Sequence, residues 1–147
     1  MMTELERYLA GEAVNVGETE LTAEAIIAFA SDFDPQRFHL SESAARDTHF
    51  GGLCASGWHT CSIWMRAMVD WTKNHAPGAY CVSPGLKNLA WPKPAFAGQT
   101  LTAFSRVKTW RENEKRDRSQ ILKTENWVED DEGDRVMSFE ATLLFGP

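Results

Sequence analysis

The sequence predicts a single α+β domain, residues 1–147, in which antiparallel strands surround one long apolar helix. Three observations carry that prediction. Apolar residues recur at helical spacing from Leu21 to about Thr72, they recur at strand spacing from Tyr80 onward, and no repeat, linker or low-complexity tract divides the chain. Helices first and strands afterwards is the segregated order of an α+β domain, not the alternation that builds a parallel sheet. A chain of this length buries roughly two-thirds of its unfolded surface, enough for one core. Six tryptophans and eight phenylalanines make that core rich in aromatic rings.

Thr22 is placed to cap a helix whose Ile26, Phe29, Ala30 and Phe33 share one face, with Glu24 near the positive end of the dipole. Asp34-Pro35 ends it, since the residue before proline is pushed out of the α region. A short helix is expected from Ser41 to Asp47, and the loop Phe50-Gly51-Gly52-Leu53 leads into the longest helix, about Ser56 to Thr72. There Trp58, Cys61, Met65, Met68 and Thr72 form one row, with Trp64 and Trp71 beside it, and the sheet is expected to wrap this helix. Strands are expected near 99–111, 119–129 and 135–145, and in the last Met137, Phe139, Ala141, Leu143 and Phe145 alternate with mostly polar residues. The charged run Arg111 to Arg118 reads as a solvated hairpin tip. Asp130-Asp131-Glu132-Gly133-Asp134 reads as the turn joining the last two strands.

Composition narrows the function. A net charge of -6, with no Lys/Arg cluster interleaved with aromatics, argues against nucleic acid as a partner. Arg66, Asp70 and Lys73 interrupt the most apolar segment, which falls short of the roughly 18 residues a membrane span needs. The odd number of cysteines, Cys54, Cys61 and Cys81, and a charged N-terminal stretch point to reduced thiols in a cytoplasmic protein. His39, His49 and His59 show no ligand pairing with each other or with the cysteines, so no metal is expected. Absence of a G-x-S-x-G motif argues against a serine hydrolase.

The chemistry concentrates in Phe29-Ala30-Ser31-Asp32-Phe33-Asp34-Pro35-Gln36-Arg37-Phe38-His39. Two carboxylates and an imidazole lie there just past a helix end, on a turn constrained by proline. A carboxylate and a histidine five residues apart can converge on one water, taking a proton from it and delivering one to carbon.

This segment resembles the hydratase motif of the MaoC-like, (R)-specific enoyl-CoA hydratase family: a Phe-Ala pair, a short gap, then aspartate, asparagine-proline and histidine. Two further stretches agree in order. Phe50-Gly51-Gly52-Leu53 followed by Ala55-Ser56-Gly57-Trp58 is similar to that family's glycine turn into its central helix, and Pro94-Ala95-Phe96-Ala97-Gly98-Gln99-Thr100-Leu101 to its sheet motif. The likeness covers about residues 10 to 145. Three positions depart from the pattern. Matching by interval selects Asp34 as the catalytic aspartate, whereas matching by the proline selects Asp32; Ser56 stands where histidine is usual, and Gln99 where aspartate is.

The resemblance implies a hot-dog fold, an antiparallel sheet wrapped around the long helix, and reversible hydration of a 2-enoyl-CoA or dehydration of a 3-hydroxyacyl-CoA. Asp34 and His39 would form the acid–base pair and the Gly57 amide would hold the thioester oxygen, as the free N–H groups of a helix start allow. Asp32, Gly52, Ser56, Trp58 and Ser62 are candidates for contact with substrate. No cofactor is implied beyond the CoA of the substrate, which could instead be an acyl carrier protein thioester. The expected assembly is a homodimer or a higher oligomer. Two other functions fit the same fold: a thioesterase, which needs a carboxylate on the central helix where only Asp70 stands, and a non-catalytic module that binds acyl thioesters.

Overall fold

A computed structural model describes residues 1–147. The elements run α1 Glu4–Leu9, β1 Val14–Glu20, α2 Ala23–Phe33, α3 Arg37–Leu40, α4 Glu42–Arg46, α5 Gly57–His75, β2 Tyr80–Ala90, β3 Thr100–Glu112, β4 Gln120–Glu129 and β5 Arg135–Gly146. The five strands form one antiparallel sheet in the order β1-β3-β4-β5-β2, and α5 lies across its inner face. This is the α+β hot-dog architecture.

Strand alternation sets the core. Leu101 and Ala103 of β3, Leu122 and Val128 of β4, and Met137, Phe139 and Leu143 of β5 are buried. From α5, Trp64, Met68 and Trp71 meet them: Trp64 packs edge-on against Phe139 at 4.8 Å, and its indole N–H donates to the Phe104 carbonyl at 2.9 Å. Each such large side chain contributes about 1.5–3 kcal/mol by leaving water. A chain of buried polar groups crosses the same core. The Ser105 hydroxyl donates to Asn126 Oδ1 at 2.7 Å, and Asn126 Nδ2 donates to Thr124 Oγ1 at 2.9 Å. With the Ser105 proton committed, the Tyr8 hydroxyl, 3.0 Å away, is the donor that ties α1 to the sheet.

The β4–β5 hairpin has the expected turn, whereas Arg111 and Glu112, expected in the tip of the other hairpin, still belong to β3. Asp130 Oδ1 accepts from the Glu132 and Asp134 amides, and Gly133, at φ 80°, supplies the left-handed residue that closes the β4–β5 turn. Thr22 caps α2, as its spacing predicts, by accepting from the Ala25 amide.

Differences from the expected pattern are informative. The row Trp58, Cys61, Met65, Met68, Thr72 does not face the sheet as a unit. Trp58 is 58% exposed and Met65 43%, whereas Trp64 and Trp71 are buried. The helix is apolar on more than one side, so periodicity alone cannot say which side the sheet takes. Phe33 stands 71% exposed at the end of α2, its ring tilted against that of Phe29 at 5.1 Å. Helix α5 also continues three residues past Thr72. His39 belongs to a short helix, α3, not to an open turn.

Strand β2 is hydrogen-bonded to β5 alone, and Val82 and Leu86 on it are about half exposed. Beside it, Met65 and Val69 of α5 are also open. The fold thus leaves the β2 edge of the sheet and one apolar flank uncovered.

Candidate active site

Helix α2 stops at Asp34, whose φ of -152° and ψ of 66° turn the chain out of the helix ahead of Pro35. The turn runs directly into α3, which carries His39 back over the end of α2. The result is close approach: His39 Nε2 lies 3.4 Å from Asp34 Oδ2, with both side chains largely buried at 7% and 19% exposure. On the other side of the ring, Nδ1 meets the Cys54 carbonyl at 2.6 Å. A carbonyl can only accept, so Nδ1 carries the proton, and in the neutral imidazole the lone pair sits on Nε2 facing Asp34.

Asp34 is held as a carboxylate. Burial pushes its carboxyl up, but the Gln36 amide, 2.7 Å from Oδ1, the nearby Ser56 hydroxyl and the positive charge that His39 carries when protonated together outweigh burial and bring it below its ordinary value. Ser56 occupies the N-cap position of α5 without capping it. Its hydroxyl is fully buried and meets no hydrogen-bond geometry within the chain, yet lies close enough to stabilise the Asp34 charge. Burial, reinforced by the Asp34 charge, pushes the Cys54 thiol up to about 11, so it is no nucleophile near neutral pH.

A cavity of about 290 Å³ opens over this pair. Asp34, His39, Gly57, Trp58, Trp91 and Lys93 are among the residues lining it. Neither the Gly57 nor the Trp58 amide N–H has an acceptor within the chain, as expected for the first turn of a helix. The cavity therefore joins a carboxylate, an imidazole lone pair and two unpaired amide donors at the positive end of a 19-residue helix. A second, apolar cavity of about 350 Å³ lies between α5 and strands β2 and β5. Trp58 lines both, and Ser62, Met65, Leu86 and Phe139 line the second.

The remaining sequence candidates separate on position. Asp32 points to solvent from the last turn of α2 and contacts neither His39 nor the cavity. Gly52 lines neither cavity and faces the Phe96 ring, while Gly51, at φ 71°, makes the turn. Asp70 pairs with Arg66 at 2.9 Å on the outer side of α5, away from the cavity. His59 stacks on Phe29 at 4.8 Å, and burial followed by the neighbouring His39 draws its pKa down.

Several residues at the cavity or bonded to the residues lining it carry no motif signal. Gln36 reads as an ordinary turn residue, and Cys54 takes part through its backbone carbonyl, which no side-chain pattern encodes. Trp91 and Lys93 flank Pro92, and that aromatic-proline-lysine run between two strands is their one local sign. Lys93 is clamped by Asp130 at 2.9 Å and Asp134 at 2.8 Å, which fixes segment 91–95 against the β4–β5 turn.

The fold and this constellation define a hot-dog domain with a carboxylate–imidazole pair at the start of its central helix. The chain belongs to the MaoC-like dehydratase family: the family model described as MaoC like domain matches residues 8–132. The MaoC-like dehydratase of Rhodospirillum rubrum is 34% identical and superposes with a TM-score of 0.82 over 92% of this chain and 91% of that one. The (R)-hydratase of A. caviae involved in PHA biosynthesis shares the fold at 24% identity and a TM-score of 0.70, over 90% of this chain and 93% of that one. Among curated proteins, the uncharacterized protein YdeM of Bacillus subtilis (strain 168) is 29% identical over 66 residues, so the match spans 45% of this chain and 47% of YdeM.

Proposed function

We propose that the protein is a hydro-lyase that reversibly adds water to a 2-enoyl thioester, most simply a 2-enoyl-CoA. The observation that supports this is the Asp34–His39 pair at 3.4 Å, buried in the cavity that also receives the free amides at the start of α5. In the forward direction a water held by Asp34 and His39 adds its oxygen to C3 of the substrate. One of the pair takes the proton that water loses, and a proton is returned to C2, so both groups end as they began. The thioester oxygen, which gains charge as the enolate develops, is stabilised by the amide donors of the first turn. The apolar cavity beyond Trp58 is the place for the acyl chain, with Ser62 on its wall.

The working form in this reading is a homodimer. Strand β2 offers an unpaired edge, and the apolar flank of Met65, Val69, Val82 and Leu86 beside it gives a second copy surface to cover. A thioesterase is disfavoured by the position of Asp70, the carboxylate of α5, which is tied to Arg66 outside the cavity. The test is to add purified protein to crotonyl-CoA and to longer or branched 2-enoyl-CoA thioesters and to follow enoyl absorbance together with free thiol. Loss of absorbance without thiol is expected. Thiol release would replace the reading with a thioesterase, and no change with any acyl group would favour a binding module.

A further inference from the structure

Trp91 belongs to no motif and lies 34 residues from the helix it touches. Its indole covers the start of α5. A Cβ at position 57 would stand 2.6 Å from Trp91 Nε1 and 2.9 Å from Cδ2, and closer still to Cε2, so the ring rests on the bare Gly57 α-carbon. The indole N–H donates to the Gly57 carbonyl at 2.9 Å, and the Thr60 hydroxyl donates to the same oxygen at 2.7 Å. The Trp58 ring then meets the indole edge-on at 5.5 Å. Trp91 is 41% exposed, so core packing alone does not account for a contact this close.

The Gly57 carbonyl and the Trp58 N–H are two ends of one peptide group. Donors on the carbonyl polarise that group and strengthen its N–H as a donor, by about 10–30% per bond in condensed-phase estimates. That N–H has no acceptor within the chain and belongs to a residue lining the cavity of Asp34 and His39. We propose that Trp91 is a positioning residue for the hydration reaction: its indole locks and polarises the Gly57–Trp58 peptide, making the Trp58 amide a second donor to the thioester oxygen beside that of Gly57. Glycine is required at 57 because the indole occupies the place of a side chain. This inference rests on the hydratase reading above.

The test compares wild type with Trp91→Phe, Gly57→Ala, Trp91→Ala and the Gly57→Ala/Trp91→Ala double variant, each checked for a native melting transition. Trp91→Phe keeps an aromatic ring over the helix start and removes the donor. Its kcat for a 2-enoyl-CoA should fall about tenfold, less than the ~10²–10³ that loss of a whole oxyanion donor costs, with KM little changed. The amide resonance of Trp58 in ¹⁵N-labelled protein should shift in the same variant, a readout that needs no turnover. Gly57→Ala should cost more than tenfold in the presence of Trp91, and the double variant should be no worse than Trp91→Ala alone. Wild-type turnover with kcat unchanged in Trp91→Phe, or additive losses in the double variant, would overturn this inference and leave the hydratase reading standing. No wild-type turnover with any 2-enoyl-CoA would overturn both.

Discussion

Asp34→Asn separates a catalytic pair from a structural contact. Asparagine has nearly the shape of aspartate, and its carbonyl can still accept from Gln36. Its amide, placed where Oδ2 was, 3.4 Å from His39 Nε2, would donate to that nitrogen and occupy the lone pair that is to take a proton from water. One substitution thus removes the carboxylate and blocks the base. Proton-transfer groups contribute about 10²–10⁴-fold, so the rate of enoyl-CoA hydration should fall by that factor, about 3–5 kcal/mol in barrier. Stability should fall only by what the depressed carboxyl contributes at neutral pH, because no volume is lost and Gln36 keeps its acceptor. His39→Ala should lose as much activity but also destabilise the fold by roughly 1–3 kcal/mol, since the buried Cys54 carbonyl is left without its donor. Asp32→Asn should change neither. The assays are initial rates of absorbance loss and urea denaturation on the same preparations. Activity of Asp34→Asn within tenfold of wild type, or an equal loss in Asp32→Asn, would refute the assignment of the pair.

Three further outcomes follow from the same contacts. Asp34 sits below its ordinary value because the Gln36 and Ser56 groups and His39 outweigh burial, so it contributes stability and activity above the usual carboxylate range and loses both as pH falls through its depressed value. Gln36→Leu, on an exposed side chain, should therefore move the acid limb of kcat/KM to higher pH, and an unmoved limb would exclude Asp34 as the group it reports. Tyr8→Phe removes the donor to Ser105 inside the core and should cost ~1 kcal/mol, read as a fall of ~2–4 °C in the melting midpoint; an unchanged midpoint would mean that the polar chain does not stabilise α1. Leu86→Asp, on the open edge strand, should convert a dimer to monomer in sedimentation velocity, and a variant that sediments like wild type would place the interface elsewhere.

The elements legible in the sequence are those whose ends carry their own chemistry. Thr22 and Asp34-Pro35 bracket α2, Ser41 caps α4, and the acidic turn with Gly133 locates the β4–β5 hairpin to within a residue or two. Strand β1 was not, because only Val14 and Val16 of it are buried, and its register shifts between Asn15 and Gly17. Strand β2 was not identified as a strand of its own for a related reason. Pro84, Gly85 and a left-handed Asn88 at φ 56° break its alternation, and its register against β5 shifts twice. Such breaks are tolerated on an edge strand, where one row of backbone groups has no partner to satisfy. Helix α1 is too short for a period to show, although Thr3 and Glu6 form a capping box at its start.

The candidate site shows where a linear motif stops being informative. Counting along the chain left Asp32 and Asp34 in competition, because an interval and a proline gave different alignments. Three dimensions separate them by a property that neither alignment contains: α2 ends at Asp34, so residue 32 still follows the helical screw out to solvent while residue 34 has left it. The two residues after Pro35 that lengthen the motif are absorbed as the start of α3, whose single turn returns His39 to the carboxylate. The same reasoning explains Ser56. Where histidine is usual, a serine hydroxyl buried near Asp34 places a polar group without adding a charge, which favours the ionised carboxyl behind a cavity that already holds one imidazole. A departure from the motif at that position therefore preserves the electrostatic state that the proposed reaction requires.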